Sequence, residues 1–109
     1  MKPEITYEDF AKIELRIATV LSAREHPNAD KLMLLQVAVG DEQKQIVAGI
    51  RGHYTVEELI GRQIVVVNNL QEAMLRGEES RGMLLAASDA GGVVLLGPDR
   101  LCEGGATVK

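Results

Sequence analysis

Alternating apolar and polar residues predict that this chain is built mainly from short β-strands. The longest predicted strand runs from Leu15 to Arg24, and its apolar parity slips between Ile17 and Ala18. A slip of this kind predicts a β-bulge or a strong bend at that point. Two further strands, Leu32 to Val39 and Gln43 to Ala48, flank a tight turn at Gly40-Asp41 and therefore predict a hairpin.

Three more strands are predicted in the second half of the chain. They cover Gln63 to Val67, Gly82 to Ser88 and Val93 to Leu96, with Asp89 to Gly92 as the turn between the last two. The residues from Asn69 to Ser80 show no strand pattern, and we expect them to form a loop in front of the Gly82 strand.

Two short helices are predicted between the strands. The spacing from Thr6 to Asp9 predicts an N-cap followed by a helix over Tyr7 to Lys12. The capping-box spacing of Thr55 and Glu58 predicts a second helix over Val56 to Ile60. Both helices are too short to form a layer of their own, so we expect them to pack against the sheet.

This order of elements is typical of an all-β fold with small helices. It fits a five-stranded OB barrel with terminal extensions, although spacing alone also allows another small all-β barrel. With 109 residues, 46% of them hydrophobic, the chain is long enough for one modest core and too short for two. We therefore expect residues 1–109 to form one soluble domain.

Composition narrows the class of partner and the compartment. The net charge is −4 and the pI is about 5.1, so a nucleic-acid site would have to be a local basic patch on an acidic body. Cys102 is the only cysteine, which excludes an internal disulfide and predicts a reducing cytoplasm. The apolar runs are far shorter than the roughly 20 residues that a membrane-spanning helix requires, and no signal pattern opens the chain, so no membrane partner is expected.

A polar turn at His26 to Leu32 leads directly into a predicted strand. Pro27 restricts the backbone there, while Asn28 and Lys31 offer an amide and an ammonium to a phosphate or a base edge. The spacing alone leaves a second interpretation open, in which this is a well-formed β-turn with a solvated lysine.

A second polar turn leads into the strand at Ser80 to Ala87. Ser80 supplies a hydroxyl, Gly82 allows a ligand to approach the backbone, and Met83 offers a flexible apolar contact. The structural alternative is a strand entry at Gly82 and a core position for Met83.

No catalytic constellation is found. The segment Gly77 to Gly82 lacks the glycine that a nucleophile elbow requires at the position of Glu78, and no phosphate-binding glycine pattern occurs. Pro27 argues against the helix that a metal site at His26 would need. We therefore predict that His26 and His53 are surface residues and that the chain uses no metal and no cofactor.

The two turns stand in a frame that resembles a known family. The matching segments, in order and at matching spacing, are Asp9 to Ile17, Val47 to Ile50, Tyr54 to Gly61, Asn69-Leu70 and Pro98-Asp99. From about Thr6 to the last residue the chain is similar to a small tRNA-binding domain. That domain is found as free dimeric tRNA-binding proteins, at the C-terminus of many methionyl-tRNA synthetases, and in the endothelial monocyte-activating polypeptide branch.

The resemblance implies an OB fold, noncatalytic binding of folded tRNA, and a homodimer to which the terminal segments contribute. The implied partners are tRNA, a second copy of the chain, and methionyl-tRNA synthetase or another synthetase. The resemblance, together with the chemistry of the two turns, gives the candidate tRNA-binding residues Asn28, Lys31, Asn69, Arg76, Ser80, Arg81, Gly82 and Met83.

The chain departs from its relatives between Gln71 and Met74. Many members carry lysine or arginine in this segment, and here Glu72 and Met74 stand at two of those positions. We therefore expect weaker binding with a smaller salt dependence, which Arg76 and Arg81 would partly compensate.

The aromatic residues narrow the mode of recognition. Tyr7, Phe10 and Tyr54 are the only aromatics, and all three are expected in helices or loops. This placement disfavours stacking of bases on the sheet and favours recognition of a folded RNA by shape. The acidic balance and the segment from Gln71 to Met74 support an alternative, a protein-binding module resembling the secretion-chaperone branch of the same fold, which binds extended polypeptide.

Overall fold

The computed structural model describes residues 1–109 and is composed mostly of β-strands. Its two helices are α1 (Tyr7–Ala11) and α2 (Val56–Leu59). Its ten strands are β1 (Leu15–Glu25), β2 (Met33–Val39), β3 (Glu42–Ala48), β4 (Gln63–Val67), β5 (Ala73–Leu75), β6 (Glu78–Ser80), β7 (Met83–Leu84), β8 (Ala86–Asp89), β9 (Gly92–Leu95) and β10 (Thr107–Val108).

Both helices begin at the predicted N-caps. The Thr55 hydroxyl accepts a hydrogen bond from the Glu58 amide at 3.1 Å, and the Glu58 carboxylate accepts one from the Thr55 amide at 2.8 Å. The Thr55 backbone amide favours the charged carboxylate and so holds the pKa of Glu58 below its ordinary value. Neither helix has the length and apolar character that crossing a membrane would demand.

The main sheet follows the order β3-β2-β1-β4-β7, with β10 added beside β1. The sheet curls until its two ends meet, because the Arg81 amide donates to the Gln45 carbonyl at 2.9 Å and the Val47 amide donates to Ser80 Oγ at 2.9 Å. This curled half-barrel confirms the predicted OB-like, all-β fold with small helices.

The core lies inside the curl. It consists of 13 buried apolar residues, most of them at alternating positions of β1 to β4 as the alternation predicts, with Ile50, Leu59 and Leu84 added from outside these four strands. Examples are Val20 of β1, Leu35 and Val37 of β2, and Ile64 and Val66 of β4.

The bulge in β1 lies farther along the strand than predicted. The register against β2 shifts between Val20 and Ser22, which leaves Leu21 as the extra, exposed residue. The predicted slip at Ile17 and Ala18 was wrong because both residues are buried on opposite faces of the strand. Ala18 belongs to the core, whereas Ile17 lies outside it and bonds through its backbone to the C-terminal segment at Gly105 and Ala106.

Two other boundaries were also predicted wrongly. The expected loop from Asn69 to Ser80 contains a hairpin, in which β5 and β6 pair with each other. The expected single strand from Gly82 to Ser88 is divided at Leu85, because β7 pairs with β4 whereas β8 turns away to pair with β9. Leu85 makes the transition by donating its amide to Val65 and accepting from Leu96.

Candidate nucleic-acid interface

His26 ties the first candidate turn to the hairpin. Its Nδ1 accepts a hydrogen bond from the Asn28 amide at 2.9 Å, so this nitrogen carries no proton. Its Nε2 therefore carries the proton and donates it to the Leu75 carbonyl, also at 2.9 Å. The ring is only 2% exposed, and the prediction of a surface histidine was wrong because these two bonds turn the ring inward.

Arg51 supports the same turn from its inner side. Its Nη1 donates to the Ala29 carbonyl at 2.9 Å and to the His26 carbonyl at 3.3 Å. Its Nε lies 3.2 Å from the Glu25 carboxylate. Since the guanidinium is engaged on both sides, Arg51 stabilises the turn and offers little free charge to a ligand.

Arg76 forms the tip of the hairpin together with Gly77. Their φ angles are 54° and 90°, and positive φ at both positions is the signature of a type I′ turn. Arg76 is the only residue other than glycine with a positive φ in the chain. It directly follows Leu75, whose carbonyl His26 holds, so the structure places Arg76 beside the Asn28 turn.

An apolar groove of about 300 Å³ lies between the first turn, the end of β3 and the hairpin. Three of the candidate residues, Ser80, Gly82 and Met83, line it. The groove also receives Leu32, which follows Lys31 in the first turn. Its remaining lining residues are Val47, Ala48, Gly49, Leu70, Gln71, Ala73, Leu75 and Leu84.

Ser80 and Gly82 form the floor of the groove and are buried. The Ser80 hydroxyl accepts from the Val47 amide and donates to the Gly82 carbonyl at 3.0 Å. Gly82 has a φ of 133°, and a Cβ there would lie 3.0 Å from the Val67 carbonyl oxygen. Both residues therefore have roles in closing the barrel, whereas Met83 is 46% exposed at the rim.

Asn69 and Arg81 lie away from this groove, in a polar cleft with Glu14, Glu42 and Glu72. The Asn69 amide group donates to the Lys12 carbonyl at 2.7 Å, and its oxygen accepts from the Glu14 amide at 2.8 Å. Asn69 thus links β4 to the start of β1 with both ends of its side chain.

Arg81 is flanked by acidic side chains. Its Nε lies 3.9 Å from the Glu72 carboxylate and 3.8 Å from the Glu79 carboxylate. These carboxylates offset the positive charge of Arg81. The sequence analysis expected that charge to compensate partly for the basic residues missing between Gln71 and Met74. Lys31 and Arg76 are different, because neither forms an ion pair in the structure.

Lys44 is a buried cation that the sequence analysis missed. Its side chain is 5% exposed, and its Nζ donates to the Asn68 carbonyl at 3.1 Å and lies 3.6 Å from the Glu42 carboxylate. The alternation of residues in β3 predicts this burial, because Lys44 lies on the same face of the strand as Ile46 and Ala48 of the core.

The aromatic residues lie where they were predicted. Tyr7 and Phe10 belong to α1, and Tyr54 precedes α2 with its hydroxyl accepting from the Leu95 amide at 3.0 Å. None of the three lies on a strand of the curled sheet, so the sheet presents no aromatic platform for stacked bases.

Known proteins resemble this chain in sequence. Residues 15–107 match the family model described as "Putative tRNA binding domain". The chain is 54% identical over 104 residues to a methionine–tRNA ligase of Methanococcus aeolicus, which corresponds to 95% of this chain and 15% of the ligase. It is 44% identical over 105 residues to the methionine–tRNA ligase of Thermococcus kodakarensis, covering 96% of this chain and 14% of the ligase. The chain therefore spans only a small part of these relatives.

Solved structures share the fold over its whole length. The chaperone CsaA from Bacillus anthracis str. Ames superposes with a TM-score of 0.88 and 35% identity, covering 98% of this chain and 100% of that one. A MetRS related protein from Pyrococcus horikoshii superposes with a TM-score of 0.91 and 31% identity, covering 99% of this chain and 100% of that one.

Proposed function

Since the chain belongs to the family of tRNA-binding domains, we propose that it binds folded tRNA and catalyses no reaction on it. The family match over residues 15–107 is the observation that carries this proposal. Its identity to part of methionine–tRNA ligases supports a role in which the domain raises the local concentration of tRNA for a synthetase.

The two turns joined by His26 are the proposed contact surface. Asn28, Lys31 and Arg76 are exposed there, and the two cations are free of the ion pairs that engage Arg81. Cations of this kind contact phosphates and position the RNA. Met83 would add an apolar contact at the rim of the groove, next to the phosphate contacts.

The other candidate residues would have smaller or indirect roles in RNA binding. Ser80 and Gly82 are buried, and we propose that they hold the floor of the groove in place rather than touch RNA. Asn69 and Arg81 would contribute at the edge of the surface, where Glu72 lowers the attraction for phosphate.

Recognition of tRNA shape is the proposed mode. The curled sheet carries no aromatic residue on which single-stranded bases would stack, and the net charge of −4 confines phosphate contacts to a small patch. A small rigid patch discriminates by the arrangement of phosphates, which differs between folded and unstructured RNA.

Fluorescence anisotropy with folded tRNA and an unstructured RNA of the same length tests this proposal. Folded tRNA should bind more tightly, and its affinity should fall as salt is raised. Lys31→Ala should weaken binding, whereas Lys12→Ala removes another exposed lysine, at the end of α1 where it pairs with Asp9, and serves as the control. Equal affinity for the two RNAs would contradict the proposal.

Binding of extended polypeptide is the second candidate function. The apolar groove of about 300 Å³ and the similarity to the chaperone CsaA favour it. The same anisotropy assay with a labelled unfolded polypeptide separates the two functions. Polypeptide binding without tRNA binding would favour the chaperone-like function.

We also propose that residues 1–109 act as one domain that forms a homodimer in the cytoplasm. The C-terminal segment supports dimerisation, because Leu96 and Leu101 are 44% and 84% exposed. Two copies would present two tRNA surfaces to one folded RNA. Light scattering should then give twice the mass of the chain.

A further inference from the structure

The β5–β6 hairpin is held at its base and at its tip by different contacts. At the base, the Gln45 side chain donates to the Glu79 carbonyl at 2.9 Å, and Ser80 bonds to Val47. Near the tip, Glu78 accepts from the Gln45 side chain at 3.2 Å and lies 3.8 Å from Arg24 of β1. The hydrogen bond from His26 to the Leu75 carbonyl is the contact that joins the tip to the first turn itself. All three residues of β5 are exposed, so packing adds little to hold the tip.

The two bonds of His26 link the first turn directly to the tip of the hairpin. The imidazole is rigid, and its two nitrogens bond to Asn28 on one side and Leu75 on the other. Each bonded group lies next to exposed residues of the proposed tRNA surface, which are Arg76 after Leu75 in the hairpin and Asn28 and Lys31 in the first turn. A change at His26 would therefore alter the spacing of the cations without removing either of them.

We propose that His26 is a positioning residue for tRNA binding, which acts by holding the Arg76 turn at a fixed distance from the Asn28 turn. This inference rests on the proposed function. His26 does not touch the RNA itself, because its ring is buried and both of its nitrogens are engaged. Its neutral form with the proton on Nε2 is the one that makes both bonds.

Two substitutions of His26 separate the effects of its two hydrogen bonds. In His26→Asn, the side-chain oxygen lies near the position of Nδ1 and can still accept from the Asn28 amide, but the side chain is too short to reach the Leu75 carbonyl. In His26→Gln, the terminal amide lies near the position of Nε2 and can still donate to Leu75. The His53→Asn variant makes the same change at an exposed histidine and is the matched control.

Folded tRNA should bind H26N about tenfold more weakly than wild type, the loss expected when one hydrogen-bonded charge is displaced. H26Q should recover most of this loss. Adding Arg76→Ala to H26N should cost less than about twofold more, because Arg76 is already out of place. If His26 only stabilised the fold, its loss of tRNA affinity and that of Arg76→Ala would add in the double variant. Full additivity of the two losses would therefore overturn the inference. Equal losses of affinity in H26N and H26Q would also overturn it.

Nitrogen NMR of the wild-type protein provides a test that requires no variant to fold. The His26 ring should show a protonated Nε2 and an unprotonated Nδ1, both free and bound to tRNA. A protonated Nδ1 would overturn the inference. Failure of the wild-type protein to bind tRNA would instead refute the proposed function, whereas normal wild-type binding with unaffected H26N would refute the role of His26 alone.

Discussion

Arg76 has a left-handed backbone conformation, which asparagine or glycine adopts at a lower energetic cost than arginine. At the first position of a type I′ turn asparagine is favoured, and a left-handed conformation costs most other residues roughly 1 kcal/mol or more. With its φ of 54°, Arg76 bears this cost. The presence of arginine at this strained position is consistent with a side chain that serves binding rather than folding.

The substitution Arg76→Asn should therefore stabilise the protein and weaken tRNA binding at the same time. Relief of the strain by up to about 1 kcal/mol should raise Tm by roughly 4 °C for a chain of this size. Loss of one charged contact to phosphate should lower affinity about tenfold. The slope of log K against log salt should fall by about one unit.

Thermal unfolding and fluorescence anisotropy of the same samples provide the assay. Arg76→Ala is the matched control, because alanine removes the guanidinium but gains none of the preference of asparagine for this conformation. R76A should lose the same affinity as R76N without gaining stability. Equal Tm values for R76N and R76A would refute the strain argument, and unchanged tRNA affinity in both would refute the role of Arg76 in binding.

Three further predictions concern the edge of the surface, the floor of the groove and the second helix. Glu72→Lys should raise tRNA affinity by about tenfold and Glu72→Gln by less. Both variants free Arg81 from a nearby carboxylate, and only the first adds a cation. Unchanged affinities in anisotropy titrations would contradict this prediction. Gly82→Ala should lower the free energy of unfolding in urea by about 1–3 kcal/mol, since a Cβ meets the Val67 carbonyl at 3.0 Å and φ is 133°. Glu58→Gln should destabilise the protein at neutral pH. Because the folded-state pKa of Glu58 is lowered, its contribution is present above the ordinary value of 4.5 and is lost as pH falls through the folded value, so urea unfolding of the two proteins should converge in strong acid.

The fold was largely predictable because its signals are local. The N-caps at Thr6 and Thr55 follow from side-chain spacing, and the β2–β3 hairpin follows from alternation around a tight turn. The predicted position of the bulge in β1 was wrong because a prediction from alternation assumes that only one face of the strand is buried. Ile17 and Ala18 are both buried, on opposite faces of the strand. That burial depends on the distant C-terminal segment, which the local pattern cannot reveal.

The exposure of the residues at the proposed tRNA surface was predictable only in part. Lys31, Arg76 and Met83 are exposed as a binding role would require, and that role stays a prediction, whereas His26 was expected at the surface and is buried. Its burial depends on the Leu75 carbonyl, 49 positions away, in a hairpin that the sequence pattern did not predict. Lys44 could have been found, because it shares the inward-facing parity of β3.

Mapping tRNA contacts by amide chemical-shift changes tests the central claim most directly. With folded tRNA added, the largest changes should occur at Asn28, Lys31, Arg76 and Gly77, on both sides of the His26 ring. The amides of α1, Tyr7–Ala11, should change little because the helix lies outside the proposed surface. Changes concentrated in the C-terminal segment from Leu96 to Leu101, or absent from both turns, would contradict the proposed surface.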